Sequence, residues 1–533
     1  MTDLRDFFGD DSPMIQHLPG FRPRPAQSWM AEAVAEAIKN QETIYGLTTG
    51  FGGMSNQTID PEHSIDLQKN LLQFLSAGAG NEIHSAHTMG AMLLRANVLC
   101  RGLSGVRMEV IDRLALFAKR NAIPVVREYG SIGASGDLIP LSVIARAITG
   151  TTDRAKVRLD GQVQSSGEVL QQLGLSPIEL KPKEGLALVN GTSFSSAAAA
   201  NATIFARNGL ATSFFIQSIL MRALQVNLAP FDPFVHENKP HPGQVWSAKI
   251  LRELLAGTDA PGEETTKPVQ DRYSLRCAPQ YFGSIVENLS QIQQTVVIEM
   301  NSVSDNPLVD PETGTFYQSG NFLGQYLGAA MDQLRRCIGL LAKHIDVQIA
   351  SLVSPEFNGG LSASLTGNAS VGYNMGLKGL QICGNSIMPL LTYLGNPIVE
   401  HFPTHAEQYN QNINGLSWNA SQLAWNSVTT FNQYLAIASI FAVQSVDLRS
   451  KHLLGHFDGR SLLSPHQIEF YDSICRVVGV QPTASQPFLL DDGDRWLEED
   501  VEKLASDFAN QGEVLNSVGP VLQSFDQFSE QGK

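Results

Sequence analysis

The most chemically suggestive stretch of the chain is Gly130–Ser131–Ile132–Gly133–Ala134–Ser135–Gly136–Asp137. Three glycines and two serines in seven residues make a tight loop, because glycine alone enters positive φ freely. The apolar run that follows, Leu138–Ile139–Pro140–Leu141, reads as the start of a buried helix. One reading of the loop is a Gly/Ser turn ahead of Asp137 as an N-cap. The other is chemical. If the Gly136 nitrogen attacks the Ala134 carbonyl carbon, loss of water closes a five-membered ring. Loss of a second water, from Ser135, leaves an exocyclic methylidene conjugated to that ring. Gly136 has no Cβ to obstruct the attack, Ser135 carries the leaving hydroxyl and Ala134 is small. The product is a soft electrophile, which no ordinary side chain supplies.

Four further stretches hold polar groups among apolar or glycine-rich surroundings. Tyr45 lies in Ile44-Tyr45-Gly46-Leu47-Thr48-Thr49-Gly50-Phe51-Gly52-Gly53. It is either an exposed aromatic or a base on a glycine-hinged lid. Asn190 ends the run Glu184-Gly185-Leu186-Ala187-Leu188-Val189 and reads locally as an Asn–Gly turn or a helix cap. Gln270-Asp271-Arg272-Tyr273-Ser274-Leu275-Arg276 is a solvated segment or, through an arginine fork, a carboxylate clamp. His405-Ala406-Glu407-Gln408-Tyr409-Asn410-Gln411 is an amide-rich surface loop with one carboxylate, or part of a site.

The elements that must position these residues are helical. Leu327, Met331, Leu334, Ile338, Leu341 and Ile345 fall at steps of four and three, as do Ile285, Leu289, Ile292 and Val296. Trp418 to Leu448 is a third long candidate. Shorter helices are expected over Ala26–Lys39, Leu67–Leu75, His84–Cys100 and Val106–Asn121, and Asp160–Gly161 suggests a hairpin turn. The Gly-rich Ile44–Asn56 cannot be regular helix. Long apolar seams of this kind predict a helical bundle shared between subunits.

Composition narrows the class. The 533 residues are 43% hydrophobic and 17% charged, enough for one large core or two smaller ones. A formal charge of −15 opposes a nucleic-acid or anionic-membrane surface. Cys100, Cys277, Cys337, Cys383 and Cys475 show no zinc spacing, and a reducing cytoplasm suits them. Met1–Asp11 is acidic without an apolar core, so no signal peptide is expected. Ser195–Leu224 is apolar but interrupted by Asn201, Arg207 and Asn208, and reads as a buried helix.

Together these motifs resemble the aromatic amino-acid ammonia-lyases, whose cofactor loop matches Gly130–Leu141. Six motifs match in order between Ile44 and Arg449, most like the short bacterial, cyanobacterial-type phenylalanine ammonia-lyases. The resemblance implies a mainly α, long-helix bundle of the ammonia-lyase/fumarase-like type with a small loop-rich N-terminal part. It implies a homotetramer with shared sites. One unit would span 1–533: an N-terminal part (1–225) with the loop, a central bundle (226–450) and a C-terminal helical part (451–533). It implies methylidene-imidazolone (MIO) formed from Ala134, Ser135 and Gly136, with no metal and no external cofactor. Tyr45 would remove the substrate's β-proton, held as a phenolate near the positive ends of helices. Asn190 would bond the cofactor, and Tyr273 and Glu407 would complete the catalytic set. Arg276 would hold the α-carboxylate. Phe74, Leu75, Leu186, Gln270, Asn306, Phe322, Lys378, Ile382, Asn410 and Gln411 would line the substrate. The implied reaction is elimination of ammonia from L-phenylalanine to give trans-cinnamate. Tyrosine ammonia-lyase, a 2,3-aminomutase and a non-catalytic structural oligomer are the alternatives. Two departures stand out: Leu47 where the family has Val, and Asn358-Gly359-Gly360-Leu361-Ser362-Ala363 where relatives have Asn-Gly-Leu-Pro.

Overall fold

Apolar residues recurring at three- and four-residue steps dictate helices, and helices dominate the computed structural model, which describes residues 40, 42–257 and 269–531. The helix expected over Ala26–Lys39 lies outside the described residues. The seam from Leu327 to Ile345 lies on the Gln325–Val353 helix, and all six of its residues are fully buried. Ile285, Leu289, Ile292 and Val296 are buried along Ala278–Met300. The other two long helices are Ser193–Ala223 and Ser417–Leu454.

The chain forms two compact units, and each draws on three separated stretches. The first comprises Met1–Asn201, Thr295–Met331 and Pro397–Gln422. Its core lies among the Ser64–Phe74, Ser85–Cys100, Met108–Lys119 and Leu138–Thr149 helices, with Trp418 edge-on to Phe194 at 4.8 Å. Small antiparallel pieces trim it. Ala79–Glu82 pairs with Arg127–Tyr129, and a three-stranded sheet runs Ile123–Pro124, Lys156–Leu159, Gln162–Ser165. Leu159 pairs with Gln162, so Asp160–Gly161 is the expected two-residue hairpin turn. Ile44–Asn56 is irregular, as its glycines require, with one short 3₁₀ turn at Gly52–Met54.

The second unit comprises Ala202–Gln294, Asp332–Asn396 and Leu423–Lys533. In it Phe214 stacks on Phe282 at 4.6 Å and meets Trp246 edge-on at 5.4 Å. The unusual Asn358–Ala363 loop is held by Arg449, whose guanidinium donates to the Gly359 and Asn358 carbonyls. Asn358 itself bonds Leu352 O and Leu361 N at 2.9 Å each. Among the described residues no helix is long and apolar enough to cross a membrane. Among them no cluster of His, Cys, Asp and Glu is arranged to hold a metal.

Candidate active site

The Gly130–Asp137 loop belongs to the first unit and is buried at its centre, with Ala134 only 4% exposed. Gly136 has φ +70°, and a Cβ there would collide with the Gly191 backbone, so no other residue fits. Three helix N-termini converge on the loop. Leu138–Thr149 begins one residue after it. Asp137 accepts Ser195 N at 2.7 Å and Ser195 Oγ at 2.6 Å, in the first turn of Ser193–Ala223. The Ser417–Leu454 helix starts against Gly133, and Ser417 Oγ lies 3.1 Å from Ser195 Oγ. Helix N-termini favour negative charge, which suits the electron-rich product of an attack on this loop.

Asp137 is not the N-cap that its sequence context suggests. It makes no side-chain cap bond to the helix it precedes. Its carboxylate instead accepts from Ser131 Oγ (2.9 Å) and from both Ser195 donors, tying the two ends of the loop to the next helix. Burial pushes its carboxyl upward, and these hydrogen bonds pull against that shift.

Asn190 closes the other side. Its Nδ2 donates to Ser135 O at 2.9 Å and to Ser135 Oγ at 3.3 Å. Its Oδ1 is buried without a partner among the described residues. The carbonyl and the leaving hydroxyl of the same serine thus share one donor. An Ala-Ser-Gly loop with a glycine that admits no side chain, a polarised serine and a spare buried amide oxygen fits the self-formed ring. Beneath Asn190 runs a scaffold the sequence reading did not single out. Lys183 Nζ pairs with Asp305 at 2.9 Å, both fully buried, and Arg95 donates to Ala187 O (2.8 Å) and Ser304 O (2.9 Å).

A cavity of about 400 Å³ opens beside Ser135. Leu67, Leu71, Phe74, Leu138 and Leu186 form its apolar wall, and Tyr45, Glu407 and Gln411 its polar side. Tyr45 Oη accepts the Gly52 N–H at 3.0 Å, and its ring meets Phe51 edge-on. Burial pushes the Tyr45 hydroxyl up, the Gly52 N–H lowers it, and the Glu407 carboxylate raises it again. The phenolate expected from the electron-poor ring and the helix ends is therefore opposed here by burial first. Glu407, Gln408 and Tyr409 are three consecutive non-glycine residues at positive φ (51°, 51° and 66°). Such backbone is costly wherever it occurs and persists only where the surrounding structure holds it, as at functional sites.

The structure thus brings Tyr45, Phe74, Ser135, Leu186, Glu407 and Gln411 around one cavity, with Ala134, Gly136 and Asn190 in the loop beside it. Leu75 does not share the wall with Phe74. It faces the core at 4% exposure, whereas Phe74 is 55% exposed, because adjacent helical residues point about 100° apart. Asn306 accepts Ser319 N at 2.6 Å, Phe322 is half-buried and Asn410 is exposed; none is part of the cavity wall. Gln270, Tyr273, Arg276, Lys378 and Ile382 belong to the second unit. There the Arg276 guanidinium stacks over Tyr273 at 4.6 Å, and Lys378 and Ile382 are exposed in the first turns of the Lys378–Leu394 helix. The cavity's Met54, Gln57, Ile59, Leu67, Asn70 and Leu71 were not anticipated. The only signal for Leu67, Asn70 and Leu71 was their three- and four-residue spacing with Phe74, which core packing also produces.

A helical scaffold that aims helix ends at a buried Ala-Ser-Gly loop, beside a tyrosine-bearing cavity, is that of a carbon–nitrogen lyase. The chain belongs to the aromatic amino acid lyase family, whose profile matches residues 21–474. It is 46% identical to the phenylalanine ammonia-lyase of Nostoc punctiforme over 499 residues, 92% of this chain and 88% of that protein. It is 41% identical to an aromatic ammonia-lyase of Loktanella atrilutea over 93% of this chain and 92% of that one. Among solved structures, the tyrosine aminomutase of Streptomyces globisporus matches with a TM-score of 0.81 at 27% identity, covering 93% of this chain and 94% of that one.

Proposed function

We propose that this chain is a phenylalanine ammonia-lyase, converting L-phenylalanine to trans-cinnamate and ammonia. The observation that carries the reading is the wall of the Ser135 cavity, where Leu67, Leu71, Phe74, Leu138 and Leu186 present hydrocarbon to a substrate ring. The 46% identity to a named phenylalanine ammonia-lyase supports it. MIO, built from Ala134, Ser135 and Gly136, supplies an electrophile that makes the substrate amine a better leaving group. Asn190 holds the Ser135 carbonyl and hydroxyl in register. Tyr45 takes the β-proton on its oxygen, which the Gly52 N–H already orients. Glu407 and Gln411, on the polar side of the cavity, meet the substrate's amine end in this reading. Arg276 clamps the carboxylate and fixes the near-attack geometry. Leu75 serves this pocket from behind, by packing the helix that carries Phe74.

The active form is a cytoplasmic homotetramer whose sites draw on more than one chain. The exposed apolar residues Ile382, Leu390 and Tyr393 on Lys378–Leu394 support an assembled state. Incubation with L-phenylalanine should release ammonia and the absorbance of an arylacrylate; no release would end the reading. Co-expressed Tyr45→Phe and Arg276→Met chains should regain activity that neither has alone, because sites completed by two intact contributions then exist. The tyrosine aminomutase among the similar structures motivates a second reading, ammonia re-addition at the β-carbon. A β-amino acid as the dominant early product would establish that reading in place of the lyase.

A further inference from the structure

Gln68 is fully buried and carries no chemistry of its own, yet both ends of its amide are engaged. Its Nε2 donates to Gly46 O at 3.2 Å, and its Oε1 accepts Leu186 N–H at 3.1 Å. Each partner adjoins a working part of the site. Gly46 follows Tyr45 directly and has φ +66°. Leu186 walls the cavity and is the third residue of the Glu184–Val189 helix. First-turn N–H groups have no acceptor within their own helix, and Lys183, before this helix, makes no side-chain cap. Gln68 supplies the missing acceptor from outside. The same helix ends at Asn190, which holds Ser135.

One side chain therefore joins the backbone beside the base to the helix that carries the ring wall and the serine's hydrogen-bond donor. The contact is close. A Cβ on Gly185 would lie 2.9 Å from Gln68 Oε1, and one on Gly46 would lie 2.6 Å from Leu186 Cδ2. The two segments approach as nearly as their glycines allow, with the Gln68 amide satisfying the backbone groups between them. We propose that Gln68 is a positioning residue that sets the Tyr45 loop against the Leu186–Asn190 helix. This rests on the reading of Tyr45 as the base. An apolar side chain of similar length fills the same volume but leaves a buried carbonyl and a buried N–H unpaired, so the two segments separate to find water.

The test compares wild type with Gln68→Met and Gln68→Glu in the full-length, assembled protein. Gln68→Met removes both bonds. It should still mature to a chain two waters lighter than its sequence, with kcat lowered about 10- to 100-fold and KM little changed. Hydrogen exchange of the backbone amides in 45–52 should quicken, while that of the Met108–Lys119 helix stays as in wild type. Gln68→Glu keeps the acceptor for Leu186 and, at a pH where its buried carboxyl is ionised, loses the donor to Gly46. It should therefore quicken exchange in 45–52 but not in 186–190, and it decides the matter if Gln68→Met does not fold. Unchanged loop exchange and unchanged kcat in either folded variant overturns the proposal. If wild type releases no ammonia from L-phenylalanine, the lyase reading fails, and the exchange data still report whether Gln68 holds the loop.

Discussion

Tyr45 Oη accepts the Gly52 N–H at 3.0 Å, and the carboxylate of Glu407 occupies the space that a side chain on Gly52 would need. The donor that orients the hydroxyl and the charge that perturbs it thus meet at one glycine. Burial is the larger cause of the raised Tyr45 pKa; Glu407 adds to it. Removing that negative charge favours the phenolate. In Glu407→Gln the rise of kcat/KM with pH, which follows deprotonation of the base, should move to lower pH even if its plateau falls. A rise that stays in place or moves to higher pH would separate Glu407 from Tyr45. Gly52→Ala, at φ +56° and against that carboxylate, should lose most activity while keeping the fold.

Ser135→Ala keeps Ala134 and Gly136 but removes the hydroxyl that must leave. The variant should fold and assemble like wild type, fail to lose the second water, which comes from the Ser135 hydroxyl, and lose turnover by roughly 10³-fold or more. Intact-mass measurement alongside an ammonia assay reads both. Wild type at full sequence mass with normal activity would remove the self-made electrophile from the mechanism.

Much of this architecture was legible from periodicity. The Leu327–Ile345 seam predicted a buried helix because only one helical face can place those six residues together, and they are buried. The Gly130–Leu141 loop, which by itself also reads as a Gly/Ser turn, was legible through the resemblance of the whole stretch to the family's cofactor loop. What local sequence could not supply was long-range partnership. Asp137 looked like a cap, since Asp before an apolar run usually is one, and its true partner Ser195 lies 58 residues on. Gln68 reads as an ordinary polar helical residue until Gly46 and Leu186 are folded against it. The Lys183–Asp305 pair spans 122 residues. Leu75 was grouped with Phe74 by the family resemblance, and in this chain the two side chains point different ways, Leu75 into the core and Phe74 to the cavity.

Asp447, in the second unit, offers a test of stability independent of catalysis. It is wholly buried and accepts from Tyr471 Oη at 2.7 Å and Phe488 N at 2.9 Å. Burial outweighs these bonds and pushes its carboxyl up to about 8. A carboxyl raised above its unfolded value binds its proton more tightly when folded. Its stabilising contribution is therefore present below about pH 4, where both states are protonated, and is lost as pH rises through about 8. Asp447→Asn keeps a neutral group of the same shape. The stability of wild type relative to Asp447→Asn should fall by a few kcal/mol, roughly, between pH 4 and 8. Denaturant titrations of both proteins at several pH values measure it. A difference that grows with pH instead would show that the folded chain holds Asp447 ionised without cost.

Phe74 lies on the apolar wall of the cavity with Leu67, Leu71, Leu138 and Leu186, and the proposed preference for a phenyl ring is tested there. These five side chains offer no partner to a phenol hydroxyl, so burying one against them, out of reach of the Asn70 amide that also lines the cavity, leaves a polar group unpaired at a cost of about 1–3 kcal/mol, or about 5- to 150-fold in preference. L-Phenylalanine should be used first, tyrosine weakly and histidine not at all. Phe74→His places an imidazole on the wall that can pair with the phenol, and it should shift the kcat/KM ratio toward tyrosine. The neighbouring substitution supplies the control. Leu75 is 4% exposed in the core, so Leu75→His buries an imidazole among hydrocarbon and should lower stability by about 1–3 kcal/mol without a matching gain for tyrosine. Steady-state kinetics on both substrates, with thermal unfolding of each variant, separates the two. A wild type that prefers tyrosine, or a folded Phe74→His whose ratio does not move, would show that Phe74 does not face the substrate ring.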